Sequence, residues 1–308
     1  MRHPKISIIG AGNVGATAAV WLASKKIADL TLIDVQEGVA KGKALDLLQA
    51  GPVENFDLKV DGGSDYSLTK NSSIVIITAG LARKPGMSRD DLLKTNADIV
   101  GGVAKEVAHH SPDATLIVVS NPLDAMAHVV KKVTAFPRQR VIGMAGVLDS
   151  ARFRTFVAEA ADVSVQDVIG FVYGGHGDTM VPMTRFCSIA GVPLTEFLSL
   201  EKINALVERT RNGGIEIVNH LKTGSAFYAP GASSALMAQA VLQDQKRVLP
   251  CSVFLEGEHG VKGVFMGVLV KLGSGGVEKI YELPLDSQEK ALFTKSGAAV
   301  EKLIQAIL

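Results

Sequence analysis

The first half of the chain alternates short apolar runs with longer segments, and this alternation constrains the fold more than any other feature. The runs are KISIIG, LTLID, FDLKV, SIVIITAG, TLIVVS and RVIG. Strands that are buried on both faces have this nearly continuous apolar composition. The segments between them predict a helix from about Val14 and helices near 36–49, 91–110 and 123–134. The pattern predicts a doubly wound α/β fold, in which a parallel sheet is covered by helices on both faces.

The rhythm changes after about Gly146, so we predict two domains. Residues 1–146 are expected to form the doubly wound domain, and residues 147–308 an α+β domain that shares a cleft with it. In the second part, the patterns predict helices near 149–161, 200–221, 232–244 and 286–307, and strands around 168–173, 179–190, 248–256 and 263–272.

The charge balance and the two cysteines exclude several classes of protein. Lysine and arginine total 32 against 31 aspartate and glutamate, for a formal net charge of +1. A nucleic-acid or membrane-surface partner would need a basic field, so neither is expected. Cys187 and Cys251 lack a C-x-x-C spacing, which predicts buried free thiols and no metal site. The chain enters a strand pattern almost at once, without a leader pattern, and we expect a cytoplasmic protein.

A glycine-rich segment, GAGNVG at residues 10–15, follows the first predicted strand and precedes the first predicted helix. In a dinucleotide fingerprint such glycines allow a tight turn, close approach of a pyrophosphate and close helix packing. Asp34 ends the second strand, at the distance from which a carboxylate accepts hydrogen bonds from the adenosine ribose. The carboxylate favours NAD over NADP, although a plain glycine turn or a flavin site remains an alternative. The motif assigns Gly10, Ala11, Gly12, Asn13, Val14, Gly15 and Asp34 to the cofactor.

His176 is the most distinctive of the seven histidines, because it lies among three glycines in VYGGHGDTMVP. A histidine that acts as general acid or base needs a carboxylate to fix its tautomer and stabilise its cation. GVLDSARF offers Asp149 and, three residues later, Arg152. The alternative is a helix N-cap and a solvated arginine. The spacing alone does not decide between the two interpretations.

Taken together and in order, the motifs resemble the lactate/malate dehydrogenase family along essentially the whole chain, and in detail its bacterial malate dehydrogenases built on the lactate dehydrogenase plan. They are GAGNVG, Asp34, TAGLARKPGMSRDDLLKTNADI, VVSNPLD, GVLDSARF and GGHGDTMVP.

The resemblance implies roles for the side chains at the chemical end. His176 would exchange the proton of the substrate hydroxyl, and Asp149 would orient it and stabilise its protonated form. Arg152 would bind the C1 carboxylate, and Asn121 would hydrogen-bond the reacting oxygen. The alternative for Asn121 is a purely structural role, in an Asn-Pro turn after a strand.

The resemblance also explains the cations in GLARKPGMSRDD, residues 80–91, which would be a mobile lid over the substrate. Arg89 would polarise the reacting carbonyl. Arg83 would face the second carboxylate of a dicarboxylate, at a position where lactate enzymes typically have Gln. The remaining residues that the resemblance places near the cofactor are Asn96, Val119 and Ser120.

The implied activity is the reversible, NAD-dependent oxidation of L-malate to oxaloacetate by a homodimer or homotetramer, with helices near 149–161 and 232–244 at its interfaces. Arg83 argues against lactate or a broader 2-hydroxy acid as substrate. A second alternative is short-chain dehydrogenase chemistry, since Tyr66 and Lys70 match Tyr-x-x-x-Lys. The third is a non-catalytic NAD-binding module.

Overall fold

A computed structural model describes residues 3–81 and 88–307, apart from the side chain of Arg89. The predicted substrate residue Arg83 therefore lies outside the described residues.

Six parallel strands form the centre of the molecule, as the apolar runs predicted. They are β1 (Lys5–Ile9), β2 (Asp29–Ile33), β3 (Val60–Gly63), β4 (Ile74–Ile77), β5 (Thr115–Val118) and β6 (Val141–Gly143). Their spatial order is β3-β2-β1-β4-β5-β6, with Ile6 paired to Leu30 on one side and to Ile74 on the other. This is the strand order of a dinucleotide-binding domain, so the predicted doubly wound fold is confirmed.

Four helices cover this sheet. They are α1 (Asn13–Lys25), α2 (Glu37–Glu54), α3 (Arg89–His110) and α4 (Leu123–Thr134). The start of α3 is fixed by a capping box in which Ser88 and Asp91 exchange hydrogen bonds with each other's backbone. Helix α4 has the predicted bounds, whereas α2 extends beyond the predicted 36–49.

The third strand was predicted too early, at residues 56–60. Phe56 and Leu58 are buried and pack on the core, but the hydrogen-bonded ladder runs from Val60 into two glycines. A Cβ on Gly62 would lie 2.3 Å from the carbonyl oxygen of Ala40. Close contact with α2 therefore selects glycine in this strand, which hides it from an apolar pattern.

The second half adds three antiparallel strands to the same sheet. They are β12 (Arg247–Glu256), β13 (Lys262–Gly273) and β14 (Gly276–Ile280). Strand β12 joins β6 through Ser252 and Gly143, so within the described residues one nine-stranded sheet spans both halves of the chain. Strand β14 was missed by the sequence analysis.

Helices and short strand pairs complete the second half. The helices are α5 (Gly146–Ala161), α6 (Leu200–Leu221), α7 (Tyr228–Leu242) and α8 (Ser287–Gln305). The strands predicted around 168–173 and 179–190 are present but interrupted. Residues 170–171 separate the strands of the first segment, and a 3-10 helix, Thr184–Phe186, interrupts the second. The two segments contain β7 (Val168–Ile169), β8 (Val172–Tyr173), β9 (Val181–Pro182) and β10 (Ser188–Ile189), followed by β11 (Val192–Pro193).

The two cysteines are buried and free, as predicted. Burial raises the pKa of the Cys187 thiol to about 11, which makes it unreactive near neutral pH. Across residues 3–81 and 88–307, no helix combines the length and apolar character needed to cross a membrane.

Candidate active site

The residues predicted for cofactor binding gather at the carboxyl ends of the parallel strands. The glycine segment follows β1, Asp34 follows β2, and residues 119–121 follow β5. Ligands of open α/β sheets bind in the crevice at this edge, where the strand order reverses between β1 and β4.

Two glycines of the fingerprint are required by the backbone. Gly10 has φ of 103°, a region that favours glycine. Its N–H donates to Ile33 O over 2.7 Å, and Thr78 Oγ1 donates to Gly10 O over 2.9 Å. A Cβ on Gly15 would lie 1.9 Å from Gly10 O. The first turn of α1 therefore packs directly on the loop, as the fingerprint predicts.

The third glycine leaves the loop open to a ligand. Gly12 is the N-cap of α1, and a Cβ there would meet no atom within 4 Å. Gly12 has no side chain with which to cap the first N–H groups of the helix, which include those of Asn13 and Val14. An anion such as a pyrophosphate can accept hydrogen bonds from these groups and is stabilised by the helix dipole.

Asp34 holds the same loop through its carboxylate. Its Oδ2 accepts the N–H of Ala11 over 2.8 Å and its Oδ1 accepts the N–H of Gln36 over 3.0 Å. The carbonyl oxygen of Ala11 accepts a hydrogen bond from the ammonium group of Lys43 over 2.7 Å. Since each carboxylate oxygen has a second lone pair, Asp34 retains acceptors for ribose hydroxyl groups.

Asn96 joins the loops that follow β4 and β5. The side chain is 2% exposed, and its amide binds Leu81 N–H over 2.8 Å and Asn121 O over 2.8 Å. Ser120 fixes the neighbouring backbone by donating to Ala79 O over 2.5 Å. Val119 lies directly before it, with its N–H bonded to Ile77 O over 2.8 Å. Asn96 and Ser120 thus shape this edge of the site, while residue Asn121 itself is exposed.

His176, Asp149 and Arg152 are brought together, so the catalytic interpretation of GVLDSARF is favoured over a solvated arginine. His176 Nδ1 lies 2.8 Å from Asp149 Oδ2. The second oxygen, Oδ1, accepts from Arg152 Nη1 over 3.2 Å. Side-chain exposure is 2% for Asp149, 14% for Arg152 and 19% for His176. One buried carboxylate therefore positions both an imidazole and a guanidinium.

Burial lowers the pKa of His176, but the charge of Asp149 and its hydrogen bond outweigh this, and the net pKa is raised above 6.5. Asp124 raises it further, while Arg152 lowers it. A histidine whose protonated form is favoured in this way can give a proton to a substrate oxygen and take it back. With Nδ1 bound to the carboxylate, Nε2 is the nitrogen left for that exchange.

The backbone of the histidine loop is held by residues that the sequence analysis did not single out. Three successive N–H groups are bound: that of Gly174 by Gly267 O, that of Gly175 by Ser296 Oγ, and that of His176 by Asp124 Oδ2. Asp124 was present in the quoted VVSNPLD motif, where an acidic residue among the apolar first residues of the predicted helix 123–134 could have been noticed. Nothing in the sequence marks Ser296.

Two adjacent glycines on α6 leave room for Arg152. A Cβ on Gly213 would lie 3.2 Å from Arg152 Cδ, and one on Gly214 would lie 3.7 Å from Nη2. Arg152 Nε is buried and has no hydrogen-bond partner among the described residues. A buried donor without a partner is costly, and it is satisfied when an acceptor such as a substrate carboxylate binds.

Comparison with known proteins identifies the family of the chain. Residues 4–143 match the lactate/malate dehydrogenase NAD-binding domain, and residues 146–308 match the lactate/malate dehydrogenase alpha/beta C-terminal domain. The chain belongs to the lactate/malate dehydrogenase family. The resemblance recognised from the motifs is thereby confirmed.

Relatives that are more than half identical to this chain include malate dehydrogenases. Over 305 residues the chain is 56% identical to the malate dehydrogenase of Roseiflexus castenholzii, with 99% of each chain covered. It is 54% identical over 304 residues to that of Heliobacterium modesticaldum, with 99% of this chain and 98% of the relative covered.

Solved structures of both enzyme types match the fold. Cryptosporidium parvum malate dehydrogenase has a TM-score of 0.97 at 46% identity, covering 100% of this chain and 99% of its own. The lactate dehydrogenase of the same organism, complexed with lactic acid and nicotinamide adenine dinucleotide, has a TM-score of 0.96 at 41% identity, covering 100% and 98%. The backbone fold therefore does not separate malate from lactate specificity.

The remaining predicted residues are not part of the described constellation. Arg89 is the first residue of α3, and its side chain lies outside the described part, as does all of Arg83. Tyr66 begins a short 3-10 helix, and Lys70 lies four residues before the start of β4, at the opposite edge of the sheet. This placement argues against short-chain dehydrogenase chemistry. The residues that the structure describes include no group of His, Cys, Asp or Glu able to hold a metal ion.

Proposed function

We propose that this chain is an NAD-dependent malate dehydrogenase that interconverts L-malate and oxaloacetate. The observation that carries the proposal is the carboxylate of Asp149, which binds His176 with one oxygen and Arg152 with the other. This arrangement supplies a proton-exchanging group and a carboxylate-binding group in one buried corner. A non-catalytic NAD-binding module would need neither.

The cofactor is NAD, bound by the glycine segment and Asp34. The open N-terminus of α1 at Gly12 fits a pyrophosphate, and the carboxylate of Asp34 fits ribose hydroxyl groups while repelling the 2′-phosphate of NADP. When bound, NAD accepts the hydride from C2 of malate. The finer assignment of Asn96, Val119, Ser120 and Asn121 to the cofactor rests on the resemblance and on their place at the ends of β4 and β5.

The proton is handled by His176. In malate oxidation, neutral Nε2 takes the proton of the C2 hydroxyl group, so that the oxygen becomes the carbonyl of oxaloacetate. Asp149 stabilises the imidazolium that results, since its oxygen lies 2.8 Å from Nδ1. In the reverse direction, protonated His176 returns the proton to the same oxygen. Asn121 and Arg89 are assigned to this oxygen by resemblance.

Arg152 binds the C1 carboxylate of the substrate. One of its nitrogens, Nη1, is held by Asp149, which orients the guanidinium plane. The buried Nε is without a partner among the described residues and can donate to a substrate oxygen. A guanidinium fork binds a carboxylate with two parallel hydrogen bonds, which fixes the orientation of C2 toward His176.

Preference for malate over lactate is assigned to Arg83, by resemblance and by charge. Two unit charges about 4 Å apart attract by about 4 kcal/mol at an effective dielectric of about 20. Enclosing pyruvate, which has only a methyl group there, would leave the Arg83 cation unpaired at a cost of roughly 3–5 kcal/mol. Each 1.4 kcal/mol is about tenfold. We expect at least about a hundredfold preference for oxaloacetate.

Three coarser expectations complete the proposal. The enzyme acts as a homodimer or homotetramer in the cytoplasm, with α5 and α7 at its interfaces. Residues 1–146 bind the cofactor, and residues 147–308 form the catalytic domain with Asp149, Arg152 and His176, to which the first domain adds Arg83, Arg89 and Asn121. Neither a nucleic acid nor a metal ion takes part.

The test is the steady-state oxidation of NADH with oxaloacetate and with pyruvate. We expect kcat/KM to be at least about a hundredfold higher for oxaloacetate, and Arg83→Gln to shift the preference toward pyruvate. The neighbouring substitution Lys84→Gln removes the same charge and is expected to leave the preference unchanged. Equal rates with the two acids would contradict the malate assignment and favour a lactate or broader 2-hydroxy acid dehydrogenase.

A further inference from the structure

His176 is held by two carboxylates, and only Asp149 has a role in the reaction described above. The second carboxylate belongs to Asp124, on α4, which accepts the backbone N–H of His176 over 2.7 Å. We propose that Asp124 is a positioning residue of the proton exchange, whose ionised carboxylate fixes the backbone of His176 and favours the protonated imidazole. This inference rests on the proposed function, because it concerns the same proton.

The surroundings of Asp124 fit an ionised group. The side chain is 3% exposed, and its second oxygen accepts the hydroxyl of Ser252 over 2.6 Å. Burial, with a smaller effect of Asp149, raises the pKa of Asp124 above its ordinary value. Each carboxylate oxygen has one donor, and the hydrogen bonds from Ser252 and His176 oppose this rise by stabilising the charged form. Asp124 also lies in the first turn of α4, where the helix dipole favours a negative charge.

Backbone support alone does not require a carboxylate at this position. The N–H of the preceding residue, Gly175, is satisfied by a neutral hydroxyl, that of Ser296, over 2.9 Å. The N–H of Gly174 is satisfied by the carbonyl of Gly267 over 2.9 Å. Burying a charge is far more costly than burying a hydroxyl group. The charge of Asp124 therefore calls for a role beyond holding one N–H group.

That role follows from the charges that face His176. Within the described residues these are Asp149 and Arg152 on α5 and Asp124 on α4. Arg152 opposes protonation of the imidazole and also shares the carboxylate of Asp149. Asp124 forms no ion pair with a cationic side chain in that part of the chain, so no paired cation neutralises its charge. It offsets the effect of Arg152.

Asp124 also connects the two sides of the proposed site. It follows the turn that contains Asn121, and its partner Ser252 lies on β12, which joins the second half of the chain to β6. Through Asp124, the segment assigned to the reacting oxygen is bonded directly to the residue that exchanges the proton. A shift of the segment that contains Asn121 would therefore also move the backbone of His176, and the reverse.

The experiment measures the pKa of His176 without requiring turnover. Diethyl pyrocarbonate modifies neutral imidazole, and the pH dependence of His176 modification in the full-length protein, followed by peptide mass spectrometry, gives that pKa. Asp124→Asn keeps the shape and the acceptor for the His176 N–H but removes the charge. We expect the pKa of His176 to fall by at least roughly half a unit. The upper limb of the kcat/KM profile for oxaloacetate should move equally, with the Kd of NADH unchanged.

A second variant covers the case in which Asp124→Asn does not fold. Ser252→Ala removes one donor from Asp124, so Asp124 takes up a proton more readily and the pKa of His176 falls in the same direction by a smaller amount. Ser7→Ala removes another fully buried hydroxyl, at β1, and is the matched control with no expected shift.

The outcomes separate this inference from the proposed function. If Asp124→Asn and Ser252→Ala both keep the modification profile of wild type and of Ser7→Ala, Asp124 only fills space and the inference is wrong. A shifted modification profile in a protein that reduces no 2-oxo acid would uphold the influence of Asp124 on His176 and overturn the proposed function instead.

Discussion

The glycine loop, residues 10–15, and the histidine loop, residues 174–177, serve the two halves of the proposed reaction but are built differently. The glycine loop is held within the parallel sheet, by Ile33 O, Thr78 Oγ1 and the carboxylate of Asp34. The histidine loop is held by groups on four elements from both halves of the chain. These elements are α4, α5, α8 and β13.

This difference separates two kinds of functional constraint. In the glycine loop, the working groups are backbone N–H groups, and the sequence must supply residues small enough to expose them. In the histidine loop, the working group is a single imidazole whose proton affinity depends on carboxylates from distant positions. Substitutions in the first should therefore change cofactor binding, whereas those in the second should change proton transfer.

The largest effect is expected for His176→Asn. Asparagine retains a polar side chain of similar size but cannot exchange the proton, so kcat for oxaloacetate reduction should fall on the order of 10³-fold. The Kd of NADH, measured by fluorescence titration, should be almost unchanged. His109→Asn, an exposed histidine near the end of α3, is the control and should retain full activity. A His176→Asn variant with normal kcat would contradict the assignment of proton transfer to the histidine loop.

An intermediate effect is expected for Asp34→Asn, which changes the carboxylate that holds the glycine loop. The substitution removes a charged acceptor for the ribose, which is worth roughly 1.5 kcal/mol, or about tenfold in the Kd of NADH. Discrimination against NADPH should decrease, while kcat with saturating NADH stays close to that of wild type. Asp29→Asn changes a carboxylate at the other end of β2, where it accepts Lys59 N–H, and should alter neither. A lowered kcat with unchanged NADH affinity at Asp34 would reverse the assignment.

The smallest effect is expected for Gly213→Ala on α6, which tests how Arg152 is positioned beside the histidine loop. The new Cβ would lie 3.2 Å from Arg152 Cδ, so the guanidinium must shift by a few tenths of an ångström. We expect a several-fold rise in KM for oxaloacetate with little change in kcat.

The control for that substitution is Gly42→Ala in α2, where a Cβ meets no atom within 4 Å. Alanine in a helix interior stabilises by about 1 kcal/mol relative to glycine, so this control should raise Tm without changing KM. If both variants raised Tm and neither changed KM, Gly213 would have no part in positioning Arg152.

The sequence predicted the glycine loop and its contacts better than those of the histidine loop, for a physical reason. GAGNVG and Asp34 act through local turns and through the regular order of parallel strands, which apolar runs reveal. Asp124 and Ser296 act through contacts across the fold, and Ser296 is 121 positions from the residue it supports. The strand predicted around 168–173 is divided in two, because Val168–Ile169 and Val172–Tyr173 pair in different sheets, which the apolar run does not reveal. Strand β14 was missed because its five residues, GVEKI, carry only two apolar positions on one face.

The most direct measurement of the central claim, that His176 exchanges the substrate proton under the control of buried carboxylates, is the pH dependence of both directions of the reaction. Reduction of oxaloacetate needs protonated His176, and oxidation of malate needs the neutral form. Because the pKa of His176 is raised above 6.5, kcat/KM for reduction should hold at low pH and fall as the pH rises through that pKa. The value for oxidation should rise over the same interval. A common midpoint above 6.5 is the predicted result, and a midpoint below 6.5 or two limbs that do not mirror each other would contradict the account.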